Sequence, residues 1–223
     1  ILQKIKKGNI SQVSVMLGFV DKKVHLQLKK TGIPFRLHLN LTEQVERFSK
    51  NFSSMTFLSL IFANNSKKLC VKEEIDRQLK EFMAIYELKE VRLDGHQHVH
   101  FIPWIYKYLC NNSICNIKEL RYPVEPFHVV KFRFLFSRQF LRNIVAMLLL
   151  KIFSIFNKKR TDQKFFGILY TNLYDKTVLN YQKKNFSAAN QKEILLHIGI
   201  AGINEKGLFS KEQFAYNSAE QRK

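Results

Sequence analysis

Asp94-Gly95 separates a short run, Val91-Arg92-Leu93, from three closely spaced histidines, His96, His98 and His100, and from Phe101-Ile102-Pro103 beyond them. Aspartate followed by glycine breaks a strand, and proline suits the first turn of a helix, where the N–H it lacks would have had no partner. The stretch therefore predicts a strand, a site-forming loop and a helix from Pro103 through Leu109. On an extended backbone, residues two apart point to one side, so a spacing of i, i+2 and i+4 sends all three imidazoles into one space, whereas a helix would turn His98 away. Neutral imidazole is the commonest metal ligand and titrates near neutral pH, so such a cluster beside a carboxylate points to a metal or proton-transfer site. A polar strand end with structurally hydrogen-bonded histidines explains any one of them more readily than all three.

Other stretches fit the same plan. Arg36-Leu37-His38-Leu39-Asn40-Leu41-Thr42 alternates strictly, with leucines on one face and His38, Asn40 and Thr42 on the other, as in a strand between a core and a cavity or solvent. Ser11 to Gly18 alternates as an earlier strand, and Ile1 to Ile10 is short, basic and helix-like, with no apolar run long enough for a signal peptide. Val71, Ile75, Leu79 and Phe82 form the stripe of an amphipathic helix packed on a sheet. Residues 43–70 read as loop, most turn-like at Asn64 to Lys68. Strands alternating with helices give an α/β class, and 223 residues at 46% hydrophobic suffice for one sizeable core, hence a single domain over 1–223.

In order along the chain, these stretches resemble the YdjC-like carbohydrate deacetylases, the family that includes the chitooligosaccharide deacetylases. The carriers are Ser11 to Gly18, Arg36 to Glu43, Leu93 to Pro103, Leu120-Arg121-Tyr122-Pro123-Val124-Glu125-Pro126 and Glu193-Ile194-Leu195-Leu196-His197-Ile198-Gly199. Lys164-Phe165-Phe166-Gly167 resembles a piece of the hopanoid-associated branch. The resemblance implies a deformed β/α barrel of the polysaccharide-deacetylase type with its site at the strand C-termini. It also implies metal-assisted hydrolysis of the linear acetamide of N-acetylated sugars. In that chemistry a divalent metal, magnesium or alternatively zinc, polarises the carbonyl and activates water while a histidine protonates the leaving amine. By the same resemblance His38 and His96 are metal ligands and His197 is the catalytic acid. Arg121 and Glu125 would bind substrate, although an arginine and a carboxylate on one short segment equally suit a structural ion pair.

The sequence also departs from the family pattern. Arg36 stands where glycine is usual and would crowd the approach to the metal; Val91-Arg92 replaces Thr-His, and Ile198 replaces proline. The family's first strand, ending in Asn-Ala-Asp-Asp-Phe-Gly, has no counterpart, which implies a barrel missing that strand and an impaired activity. A non-catalytic family remnant is therefore an alternative.

Charge raises another. Lys+Arg number 37 against 18 Asp+Glu, a formal net charge of +19 that attracts anionic surfaces. The lysines are scattered and no nucleic-acid-binding motif accompanies them, which argues against nucleic acid as a partner. From about 127 to 160 the chain is basic and apolar, an insertion that reads as a surface-lying membrane helix, a buried helix or a lid. Peripheral membrane contact and homo-oligomerisation both stay open. Three cysteines, Cys70, Cys110 and Cys115, without zinc-ribbon spacing suggest reduced thiols in a cytoplasmic setting.

Overall fold

A computed structural model describes residues 2–6, 10, 12–44, 52–130, 132–158, 164–171, 173, 177–178, 180–181 and 192–194. They group into two compact units that divide between Arg121 and Tyr122. The first unit runs α1 (Leu2–Lys6), β1 (Val13–Val15), α2 (Lys22–Lys29), β2 (Phe35–Leu39), α3 (Phe57–Ile61), α4 (Asn65–Tyr86), β3 (Glu90–Gly95), a 3-10 turn (His96–Phe101), α5 (Pro103–Cys110) and β4 (Asn116–Leu120). Its strands form one sheet in the order β1-β2-β3-β4, every neighbouring pair parallel. Parallel neighbours need a crossover, and each connection here carries at least one helix. The α/β reading holds.

The alternating segment behaves as its pattern requires, since Leu37, Leu39 and Leu41 are fully buried. Pairing of Leu37 with Leu93 continues that apolar face into β3, and pairing of Ser14 with Arg36 and of His38 with Asp94 builds a polar face behind it. α4 buries Val71, Ile75, Leu79 and Phe82, the stripe read from sequence. It starts earlier than that stripe, because Asn64 is an N-cap whose Oδ1 accepts the Lys67 N–H at 3.0 Å. The stretch expected to be loop thus contains α3 and the first six residues of α4.

One irregularity decides which β4 side chains face the site. Register runs Val91↔Ile117 and then Arg92↔Glu119, so Lys118 is an extra residue in a β-bulge. The shift puts Glu119 in line with Arg92 and Leu120 in line with Leu93. Glu119 and, one step on, Arg121 therefore join the polar face. The segment matched to Arg-x-Pro-x-Glu is not itself a strand: β4 precedes it, and only the Arg121 N–H, donating to the Leu93 carbonyl at 3.0 Å, extends the ladder.

In the second unit a 3-10 turn (Phe132–Phe136) leads into α6 (Arg138–Phe156), and β5 (Lys164–Phe166) pairs in parallel with β6 (Lys192–Ile194). Ser137 caps α6 through its hydroxyl, which accepts the Phe140 N–H at 3.1 Å. Phe140, Met147, Leu150 and Phe153 are its buried apolar residues, and Asn143 Nδ2 donates to the Leu169 and Thr171 carbonyls, each at 3.0 Å. The basic apolar stretch expected over 127–160 is this turn and helix.

Candidate active site at the carboxyl edge of the sheet

Gly95 ends β3, and the chain then enters a tight turn instead of continuing as extended backbone. Gln97 (φ 50°, ψ 23°) and His98 (φ 58°, ψ 27°) are both left-handed, a conformation uncommon outside glycine. The expectation that His96, His98 and His100 share one side of an extended segment is therefore corrected. Two successive left-handed residues split them. His96 turns towards His38, with ring centroids 5.7 Å apart, whereas His98 and His100 sit 6.2 Å from each other. Space at 95 is tight for anything but glycine: a Cβ there would lie 3.0 Å from both N and Nδ1 of His100.

Asp94 is the hub. Its carboxylate accepts from Ser14 Oγ at 2.8 Å and from His38 Nδ1 at 2.7 Å, and it pairs with the Arg121 guanidinium. Burial by itself would push this carboxyl up, but Arg121, His38 and Arg36 outweigh it and hold Asp94 well below the usual carboxylate range. Since an ionised carboxylate only accepts, His38 carries its proton on Nδ1, and in the neutral ring Nε2 keeps the lone pair. That is the arrangement by which a carboxylate fixes the tautomer of a metal-binding histidine.

His96 is held from β2. Asn40 Oδ1 accepts the N–H groups of Thr42 and Glu43, at 3.2 and 2.9 Å, and Asn40 Nδ2 donates to the Glu43 carbonyl at 2.8 Å. This turn brings Glu43 to His96, whose Nε2 donates to its carboxylate at 3.2 Å. Burial, and then the neighbouring His38, lower the His96 pKa against the pull of Glu43. Ser14 and Glu43 were not singled out from sequence. The available signal for Glu43 was Asn40 three residues earlier, since asparagine organises such turns through its own side chain.

Deeper in the same polar face, Arg36 is fully buried and donates to Glu119 Oε1 at 2.5 Å and Gln12 Oε1 at 3.2 Å. Its head group is tied to β4 and the chain before β1, so it does not crowd the His38–His96 pair as expected. Behind His96, burial pushes His98 well below its ordinary value and His100 down to about 3. His100 Nε2 donates to the Arg121 carbonyl at 3.0 Å.

The remaining expected site residues fall elsewhere. Arg121 is buried against Asp94. Glu125 belongs to the second unit, where it is fully buried and its Oε2 accepts the N–H groups of Gly167, Ile168 and Leu169 at 3.2, 2.8 and 3.1 Å. His197 lies outside the described residues. For the metal that the resemblance implies, two imidazoles converge and one is correctly oriented, yet among the described residues no group of three His, Cys, Asp or Glu is placed to hold a metal ion. The donor set is compatible in kind and partial in number.

These features define an α/β protein whose parallel sheet carries a histidine–carboxylate centre at its carboxyl edge. The chain belongs to the YdjC-like protein family, whose family model matches residues 1–222. It is similar to a carbohydrate deacetylase of Danio rerio, 27% identical over 140 residues, which is 56% of this chain and 45% of that protein. A carbohydrate deacetylase of Mus musculus is 28% identical over 119 residues, 47% of this chain and 38% of that protein. The matched stretch thus spans less than half the length of either relative. No solved structure matches the chain.

Proposed function

We propose that the chain carries the site of a metal-dependent carbohydrate deacetylase, which hydrolyses the acetamide of N-acetylated sugars, on a β/α barrel of which the four-stranded parallel sheet is an arc. The observation that supports this most is the convergence of His38 and His96 at the ends of adjacent strands, with Asp94 fixing the His38 tautomer. The chemistry a divalent cation supplies there is Lewis-acid activation of the amide carbonyl and of water. His38 and His96 would hold it, and imidazole donors suit zinc better than magnesium, which prefers oxygen. Arg121 keeps Asp94 ionised, and Asp94 keeps His38 ready to ligate. His197 is assigned the proton that the leaving amine takes up.

The test is acetate release from N-acetylglucosamine oligomers with magnesium or zinc added, alongside metal content by elemental analysis. His38→Ala and His96→Ala should each lower metal content together with activity. His197→Ala should lower turnover by about 10²–10⁴-fold with metal content unchanged. Undiminished metal binding in the double variant of His38 and His96 would overturn the assignment of the ligands.

A further inference from the structure

α6 and the turn before it leave an apolar surface that the second unit does not use. Leu141, Val145, Leu148, Ile152, Ile155 and Phe156 are each at least 50% exposed. Their spacing of four, three, four and three residues, closed by Phe156, sets them on one face, opposite buried Phe140, Asn143, Met147 and Leu150. Phe132 and Phe136, in the preceding turn, are 71% and 79% exposed. Scattered apolar residues are ordinary on a protein surface, but a continuous stripe along a helix marks an interaction site.

Charge selects the occupant. Between Glu125 and Asp162 the sequence contains no acidic residue and eight Lys or Arg. Arg138, the first residue of α6, lies on the same side as the stripe, Arg142 flanks it one turn further on, and Lys158 follows the helix end. An apolar stripe whose own segment carries cations and no acid fits an anionic lipid surface, where the stripe enters the acyl boundary and the cations meet headgroup phosphates. A protein groove lined with acids would satisfy the cations but has no need for so long an uninterrupted apolar face. Although α6 is the one helix among the described residues long and apolar enough to cross a bilayer, its inner face is committed to the core of the second unit. We infer that α6 lies in the plane of an anionic membrane through its outer face and docks the protein peripherally.

Co-sedimentation of residues 1–223 with vesicles tests this, comparing pure phosphatidylcholine with a mixture containing about one quarter phosphatidylglycerol. The chain should pellet with the mixed vesicles and much less with the neutral ones. Leu148→Glu with Ile152→Glu, both at exposed positions, should weaken binding by about tenfold or more with the thermal midpoint unchanged. Arg138→Gln with Arg142→Gln should weaken binding to the mixed vesicles by about tenfold or more, since each surface cation contributes about a factor of five. Binding that survives the apolar substitutions would overturn the inference and leave charge alone as the cause. Absence of vesicle binding by the parent chain would equally overturn it, as would a dimer in light scattering that the apolar substitutions dissolve without altering vesicle binding, because a second copy would then cover the stripe.

Discussion

Asp94 carries more of the site's order than either histidine. Replacing it with asparagine leaves the buried Arg121 guanidinium without its carboxylate, and breaking a buried pair from one side costs about 3–5 kcal/mol. The same change leaves one amide oxygen where two carboxylate oxygens accepted, and an amide NH2 turned to His38 Nδ1 would impose the other tautomer, so metal affinity should also fall by about 10–100-fold. Ser14→Ala removes one hydrogen bond from the hub and should cost only about 1 kcal/mol, with the tautomer intact. Thermal denaturation and zinc titration of both variants separate the two effects; an Asp94→Asn protein that binds zinc like the parent would remove Asp94 from the site. Gly95→Ala meets both the backbone and the ring of His100 at 3.0 Å, and such overpacking should cost about 1–3 kcal/mol.

The bulge in β4 sets which side chains of that strand join the polar face. Deleting Lys118 would remove only the extra residue and leave Ile117 followed directly by Glu119, so Glu119 and Arg121 would keep the polar face in a regular ladder, whereas one residue added between Glu119 and Leu120 would exchange the faces beyond it. The deletion variant and Lys118→Ala should both keep a cooperative thermal transition, whereas the one-residue insertion after Glu119 should lose it. Such a device could not be read from the sequence. The leucine alternation around His38 announces its strand and faces, since burial of one face imposes a period of two, and the α4 stripe announces its helix in the same way. Asn64 was legible only as a polar turn residue, because a residue that favours turns is chemically the same one that caps a helix. Misplacement of His98 and His100 has another origin: Gln97 and His98 have no local preference for left-handed backbone. The close fit of Gly95 against His100, which depends on tertiary packing, accompanies it. Hence the His38–His96 pair was visible in advance, and the separation of the other two histidines was not.

Acid should unfold the protein in two successive steps of charge. His98 and His100 titrate far lower when folded than the ordinary histidine value of about 6.5, so below that pH the unfolded chain binds protons that the folded one refuses. Their stabilising contribution is complete above about pH 6.5 and falls as pH drops towards 3. Asp94, also lowered, adds its loss only once pH passes below the ordinary aspartate range. Glu125, raised by burial, acts in the opposite direction. His100→Gln should accordingly reduce the slope of unfolding free energy between pH 6 and 4 by roughly 1.4 kcal/mol per pH unit, as read from denaturant titrations at each pH. The Arg36–Glu119 pair has a kinetic consequence. It joins β2 to β4 across the whole width of β3, so it requires three strands that are distant in sequence to be in register at once. We predict that a contact of that kind forms after the folding barrier has been crossed. Glu119→Gln should leave the refolding rate nearly unchanged and accelerate unfolding, which makes the pair a latch that sets the lifetime of the folded sheet and not the speed at which it assembles.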